Sequence, residues 1–252
     1  MSEFMDIITS DNLSYKQKVL HLAQAAENSE HPIKTTAEFD RLFAAHALDD
    51  MCEGNAPYRP RYICPDYQVF AQNGSEFLRF DKPETLDDLL WGLAALYDNV
   101  PSVTSRPVYV GQLDKIIDPF LEGMTDDEIK PRLRRFLNHI DRTVASGYCH
   151  ANIGPEDTRA GRLLLEVDRE LMNAVPNFTL KYDPEVTSDE FMRLAVKTTM
   201  VCSNPAFANH RIHKETYPGE YTVVSCYNVL PMGGGAYTLS RVLLPGLAKL
   251  AT

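Results

Sequence analysis

Apolar residues recur along this chain at helical spacing first, then in a strand–helix alternation that starts near residue 105. Residues 12–27 (NLSYKQKVLHLAQAAE) carry Leu13, Val19, Leu20, Leu22 and Ala23 near helical spacing and predict a helix. Residues 35–51 predict a second helix, with Thr36 as N-cap ahead of Phe39, Leu42 and Phe43. EGNAPYRPRYICPDY (53–67) carries three prolines among aromatic residues and reads as an ordered, irregular connection rather than a flexible linker. ETLDDLLWGLAALYDNV (84–100) predicts a helix, and PSVTSRPVYVGQLD after it a loop and a short strand.

Beyond residue 125 the alternation is regular. TDDEIKPRLRRFLNHIDRTVAS (125–146) is a helix whose Thr125 and Glu128 stand at capping-box spacing. GYCHANIGP (147–155) predicts strand and turn, and residues 156–175 a helix. NFTLKYDP (177–184) is a strand, TSDEFMRLAVKTTMVC (187–202) a helix and YTVVSCYN (221–228) a strand. LSRVLLPGLAKLA (239–251) reads as a helix interrupted at Pro245. Strands alternating with helices argue for an α/β fold with parallel strands, in a barrel or a doubly wound sheet. The division expected is a mainly helical region over 1–104 and a parallel α/β region over 105–252.

Composition narrows the function without naming it. A chain of 252 residues buries a large core, as one large domain or two small ones. Its net charge of −10, with no Lys/Arg cluster, argues against nucleic acid as a partner. No stretch has the length of a membrane span, and the N-terminal residues lack the pattern of an export signal, so the expectation is a cytoplasmic protein with no membrane partner. Five cysteines, at 52, 64, 149, 202 and 226, are sparse and irregular, as reduced thiols are.

Chemistry concentrates in a few places. Cys226 ends an apolar, β-branched strand and is followed by a proline and three glycines, 233–235. Its bland reading is a packed core thiol; a nucleophile would need a lowered pKa and a base, for which His150, His210 and His213 are available. A zinc site of Cys202, His210, His213 and Cys226 has spacing C-x7-H-x2-H-x12-C, without the close cysteine pairs of structural zinc, so no metal is expected. The triple glycine fits no phosphate-binding motif and reads as a tight turn. The carboxylate pairs Asp49-Asp50, Asp87-Asp88 and Asp126-Asp127 fall at helix ends or solvated faces. His150 and Asn152, two apart on a strand, share one side of it at the end where α/β folds place their sites; a hydrogen-bonded turn built by Asn152 and Gly154 explains them equally.

From residue 176 the order PNFTLKYDPEVTSDEF, NPAFAN, YTVVSCYNVLP, glycine-rich turn and helix resembles the glycyl radical enzymes, which include pyruvate formate-lyase and the radical diol dehydratases. EGNAPYRPRY, DNVPSVTSRPVYVGQLD, HANIGPEDT and SCYNVLPMGGGAYTL are most similar to the YjjI-type family, and the likeness runs from about residue 50 onward. It implies a ten-stranded α/β barrel of two five-stranded parallel halves, with this chain supplying the first half after a helical N-terminal region. It implies that Cys226 is the thiyl residue, formed by hydrogen-atom loss from a neutral thiol. It further implies a glycyl radical in an Arg-Val-x-Gly-aromatic motif of a C-terminal half, installed by a radical S-adenosylmethionine activase. That motif is absent here, so the chain is expected to be an N-terminal half, inactive alone, with no cofactor bound in it.

Asn228 stands where the dehydratases carry a glutamate base, and Ser225 where pyruvate formate-lyase doubles its cysteine, so the resemblance lends neither mechanism support and leaves the reaction open. Arg106, His150, Asn152, Asn209 and Asn228 are the pocket candidates around Cys226, toward a small polar metabolite. A homodimer or the missing half are the candidate protein partners. The alternative is a non-catalytic half-barrel whose exposed face binds a partner.

Overall fold

A computed structural model of the protein describes residues 3–28, 35–50, 62–63, 66–104, 109–143, 149–224, 228–232, 236–237, 240–242 and 248–249. Helices begin where the sequence supplies caps. Thr36 Oγ1 accepts from the Phe39 N–H at 3.1 Å, Thr158 from Gly161 at 3.0 Å and Ser188 from Phe191 at 3.0 Å. Each hydroxyl satisfies an amide that the first helical turn leaves without a partner. At Thr125 the Glu128 carboxylate accepts from both the backbone N–H and the hydroxyl, each at 2.8 Å.

In chain order the first elements are α1 (Glu3–Thr9), α2 (Tyr15–Asn28), α3 (Ala37–Ala44), β1 (Leu48–Asp50), β2 (Tyr62–Ile63), α4 (Tyr67–Asn73) and α5 (Leu86–Thr104). Next come β3 (Tyr109–Val110), α6 (Leu113–Ile117), a 3-10 turn (Asp118–Leu121), α7 (Asp126–Thr143), β4 (His150–Ile153), α8 (Arg159–Leu171) and β5 (Asn177–Tyr182). The last are α9 (Asp189–Cys202), β6 (Ala206–Asn209), α10 (His210–Thr216), β7 (Tyr221–Val224), β8 (Asn228–Pro231), β9 (Ala236–Tyr237) and β10 (Ser240–Val242). They fall into two units: Met1–Ile63 with Ser102–Arg106 and Ala236–Thr252, and Cys64–Pro101 with Pro107–Gly235.

In the first unit α1 packs on α2, β1 pairs antiparallel with β10, and β2 with β9. Two sequence expectations are corrected here. The helix expected over 35–51 stops at Ala44, because His46 takes a left-handed φ of 54° and the Ala47 N–H closes onto the Leu42 carbonyl at 2.9 Å. Leu48–Asp50 then forms a strand, opposite a strand at Ser240–Val242 where an interrupted helix was expected. Pairing between segments so far apart outweighs local propensity, which carries no information about a distant partner.

The second unit is built on a parallel sheet of order β3-β4-β5-β6. Crossovers through α7, α8 and α9 lay these helices side by side on one face. Val110, Ala151, Ile153, Phe178 and Leu180 point to that face and join Leu113, Ile117, Leu133, Leu137 and Leu164 in one core. Strand alternation sends Tyr109, His150, Asn152, Thr179 and Lys181 to the opposite face. That face is covered too: β7 and β8 form an antiparallel hairpin against it, and Tyr221 and Val223 pack with Ala208 of β6. With both faces covered, all four residues of β4 are buried.

Three further expectations change. The strand expected over 221–228 ends at Val224, and Asn228 opens a second strand that returns beside it. β6 and α10 arise in a segment read without regular structure. α5 continues to Thr104, through Pro101, beyond the end expected at residue 100; a single proline removes one helical donor, which a 19-residue helix tolerates. Among the described residues of this unit the sheet has four parallel strands, with β7 and β8 paired separately, an α/β arrangement that matches the expected class but not the five-stranded parallel half of a ten-stranded barrel.

Candidate functional site

The inner face of the parallel sheet gathers the polar residues that the sequence put forward, and the β7–β8 hairpin explains why they are there. Asn152 is fully buried, and both ends of its amide are engaged by one residue of β7. Its Oδ1 accepts from the Val223 N–H at 2.6 Å and from the Thr222 hydroxyl at 3.2 Å, while its Nδ2 donates to the Val223 carbonyl at 3.0 Å. A primary amide carries the same donor and acceptor as a peptide group, so Asn152 stands in for a neighbouring strand along β7. A turn built by Asn152, the alternative reading of this position, is not what its side chain makes.

His150, on the same face, is nearly buried, with its ring 5.4 Å from that of Tyr109. Burial pushes its pKa down to about 4, so the imidazole is neutral at physiological pH. Asn209 is exposed; its Oδ1 accepts from the Ile212 N–H at 3.2 Å and caps α10. Cys226, Arg106, the side chain of Asn228 and the glycines 233–235 lie outside the described residues. Of the zinc candidates, Cys202 lies within 3.6 Å of Asp168 Oδ2 and 3.3 Å of the Thr198 carbonyl, while His210 Nδ1 meets the Tyr221 hydroxyl at 2.8 Å. Among the described residues no three His, Cys, Asp or Glu side chains converge as metal ligands.

Sequence reasoning missed the residue that dominates this face electrostatically. Lys181, on β5, is 2 % exposed. Its Nζ donates to the Tyr221 carbonyl at 2.6 Å and the Gly111 carbonyl at 2.8 Å, and lies 4.3 Å from the centroid of the Tyr221 ring. Burial brings its amine down to about 7; Glu220 and Asp114 oppose that fall, and Lys115 and Lys214 add to it. Beside it, the buried Gln112 donates to the Glu220 carboxylate and accepts from Gln68 at 2.7 Å. A lysine in the alternating strand NFTLKY was the available signal: its position on the face of Thr179 predicted burial or a partner, not solvent.

Asp114 is a second residue the sequence did not mark. It is fully buried, its Oδ2 accepts from the Gly154 N–H and the Thr158 hydroxyl, both at 3.0 Å, and its Oδ1 has no partner among the described residues. Burial pushes its pKa up to about 6. Two of the carboxylate pairs stand where expected, at helix starts: Asp87 meets Arg132 at 2.9 Å, Asp88 accepts from the Thr85 N–H at 3.0 Å and Asp126 meets Arg159 at 2.6 Å. Asp49 and Asp50 instead lie in strand β1, opposite Arg241 and Ser240.

The arrangement is therefore a strand, β7, held on the inner sheet face by buried polar side chains and ending at Val224, two residues before Cys226 in the sequence. Residues 13–252 match the family described as glycyl radical enzyme YjjI-like. An uncharacterized protein of Haemophilus influenzae is 45% identical over 252 residues, covering 99% of this chain and 49% of its own length. The uncharacterized protein YjjI of Escherichia coli is 45% identical over 244 residues, covering 96% of this chain and 47% of its own. The chain thus spans about half the length of these relatives. Among solved structures, the anaerobic ribonucleotide reductase from Thermotoga maritima, crystallised with citrate in its active site, superposes with a TM-score of 0.63 over 99% of this chain and 57% of its own, at 12% identity, a likeness of fold. The chain belongs to the YjjI-like glycyl radical enzymes.

Proposed function

We propose that this chain is the thiyl-bearing part of a glycyl radical enzyme acting on a small polar metabolite, with Cys226 as the radical cysteine and no activity without the glycine-bearing half. The observation that carries the reading is β7: a strand fully buried from Tyr221 to Val224, fixed to the sheet by side chains, two residues before Cys226. Family membership supports an enzyme and a radical S-adenosylmethionine activase as partner.

The glycyl radical, once installed, supplies a carbon-centred acceptor for the hydrogen atom of the Cys226 thiol. The S–H bond breaks homolytically, a C–H bond forms at the glycine α-carbon, and no net charge moves. Such a step needs no base beside the cysteine, in contrast to a nucleophilic thiol. It does need fixed geometry and exclusion of water. Both needs are supported on the inner face, where His150 and Lys181 are driven toward their neutral forms by burial. His150 is then a neutral hydrogen-bonding group on the inner face, beside Tyr109. Asn228 would contribute an amide, which binds but does not remove a proton.

The test uses the complete protein, with its glycine-bearing half, activated anaerobically. A glycyl EPR doublet is expected, split by the remaining α-hydrogen. In deuterated buffer the doublet should collapse to a singlet, because a thiol exchanges with solvent and returns deuterium to the glycine. Cys226→Ala should keep the doublet and stop the collapse. A singlet in Cys226→Ala, or no glycyl signal in the activated protein, would refute the reading.

A further inference from the structure

β7 meets its neighbours in two unlike ways. On one edge it pairs with β8, Tyr221 opposite Pro231 and Val223 opposite Val229. Proline has no N–H, so the Tyr221 position suits a pair without ladder bonds, and by alternation Val223 is its equivalent. The peptide groups of Tyr221 and Val223 accordingly face away from β8, and it is these that Asn152 and Lys181 engage. No main-chain ladder occupies this edge among the described residues. Both side chains come from adjacent strands of the parallel sheet, both are nearly or fully buried, and the amine is braced in turn by the Gly111 carbonyl and the Tyr221 ring.

The geometry points to Asn152 and Lys181 as positioning residues for Cys226: two side chains that set where β7 ends and hence where the thiol is presented. This rests on the thiyl reading of Cys226 above. The hydrogen bonds these residues make run to main-chain groups and to β7: Asn152 gives its carbonyl oxygen and one of its two N–H donors to β7, and Lys181 gives two donors to carbonyls with its amine over the Tyr221 ring. Their effect on chemistry therefore passes through the strand.

Hydrogen-atom transfer depends steeply on distance, so a displaced strand end should slow exchange between glycine and thiol before it abolishes the fold; misplacement by about 1 Å costs roughly a hundredfold in well-studied cases. The measurement is the rate of deuterium entry into the glycyl position per unit of EPR spin, in the complete activated protein, for Asn152→Leu, Lys181→Met and Cys226→Ala. Counting per spin removes molecules that failed to fold or to be activated. The expected result is a fall of roughly tenfold or more in Asn152→Leu and Lys181→Met with the glycyl signal retained. A role confined to stability would lower the melting temperature and the spin yield and leave the rate per spin at the wild-type value, which would overturn the proposal while the thiyl reading stood. Continued exchange in Cys226→Ala would overturn the thiyl reading itself.

Should neither positioning variant take up a radical, amide exchange of the 221–224 peptide in the unactivated protein decides. Loss of protection there, with β4 and β5 still protected, supports the proposal. Unchanged protection refutes it.

Discussion

Lys181→Met tests the electrostatics of the inner face directly. Two effects oppose each other at this amine. Desolvation favours the neutral form; two carbonyl acceptors, the Tyr221 ring, Glu220 and Asp114 favour the cation. With a folded-state value of about 7 against an ordinary lysine value, desolvation wins. The unfolded chain then binds more protons than the folded one between pH 7 and about 10.4, so stability rises with pH across that window and levels off below about 7, where both states carry the proton. Integrating the linkage relation from pH 7 to pH 9 gives a gain of about 2 kcal/mol in the wild type that Lys181→Met should lack. The variant also leaves the Gly111 and Tyr221 carbonyls without their donor, a loss of about 1–3 kcal/mol for each that stays dry. Urea denaturation of both proteins at pH 7.0, 8.0 and 9.0 under reducing conditions reads the difference. Taking the difference between the two proteins cancels titrating groups remote from Lys181, among them the buried Cys149, whose raised value acts in the opposite direction, and the window above pH 7 avoids His210 and His213, whose lowered values respond to the Lys181 charge. Parallel profiles would mean the amine stays charged in the fold, and the argument from desolvation would be wrong.

Asp114 gives the converse sign: with a folded value of about 6, wild-type stability falls as pH rises from about 4 through 6, and Asp114→Asn removes that dependence. Denaturation midpoints should show the variant gaining about 1 kcal/mol on the wild type between pH 5 and pH 7.5, and a constant offset would count against a raised carboxyl. Gly154→Ala should destabilise by roughly 2–4 kcal/mol in the same assay, since φ is +74° and a Cβ would sit 2.7 Å from Leu180 Cδ1; a loss under about 0.5 kcal/mol would show that the β4–α8 turn relaxes freely.

Local signals located the helices well because capping is local chemistry. Thr36, Thr125 and Ser188 each carry their instruction within three residues. The strands that sequence reading missed depend on partners far along the chain. Ala206–Asn209 holds no β-branched residue, and it is a strand through its pairing with β5. Leu48–Asp50 and Ser240–Val242 are strands because they meet each other. At the site, His150 and Asn152 were legible as a pair on one strand face, but not the reason for Asn152, because Val223 lies 71 residues further on. Lys181 was hidden in the same way: its strand was read correctly, and the hairpin that buries it comes 40 residues later. Cys226 was singled out by its setting in the sequence, at the end of a strand next to glycines, and lies outside the described residues.

A parallel sheet covered on both faces ordinarily presents apolar residues to both, and the polar face here is a costly exception unless it specifies something. What it specifies is register. Alternate peptide groups of β7 point to β8 and to the sheet, so a slip by one residue would turn the Val223 and Tyr221 groups away and leave Asn152 and Lys181 facing the wrong edge. Each orphaned buried group would then cost about 1–3 kcal/mol, and at least three groups are involved: both ends of the Asn152 amide and the Lys181 amine. A slip by two would restore the pattern but move the strand end by about 7 Å, and it would carry Tyr221 away from its ring contacts with Lys181 and His210. Apolar packing of Val223 against Ala208 has no such directional preference. The polar side chains therefore define a single point at which the chain leaves β7, which is the requirement for presenting a reactive residue beyond it at a fixed distance.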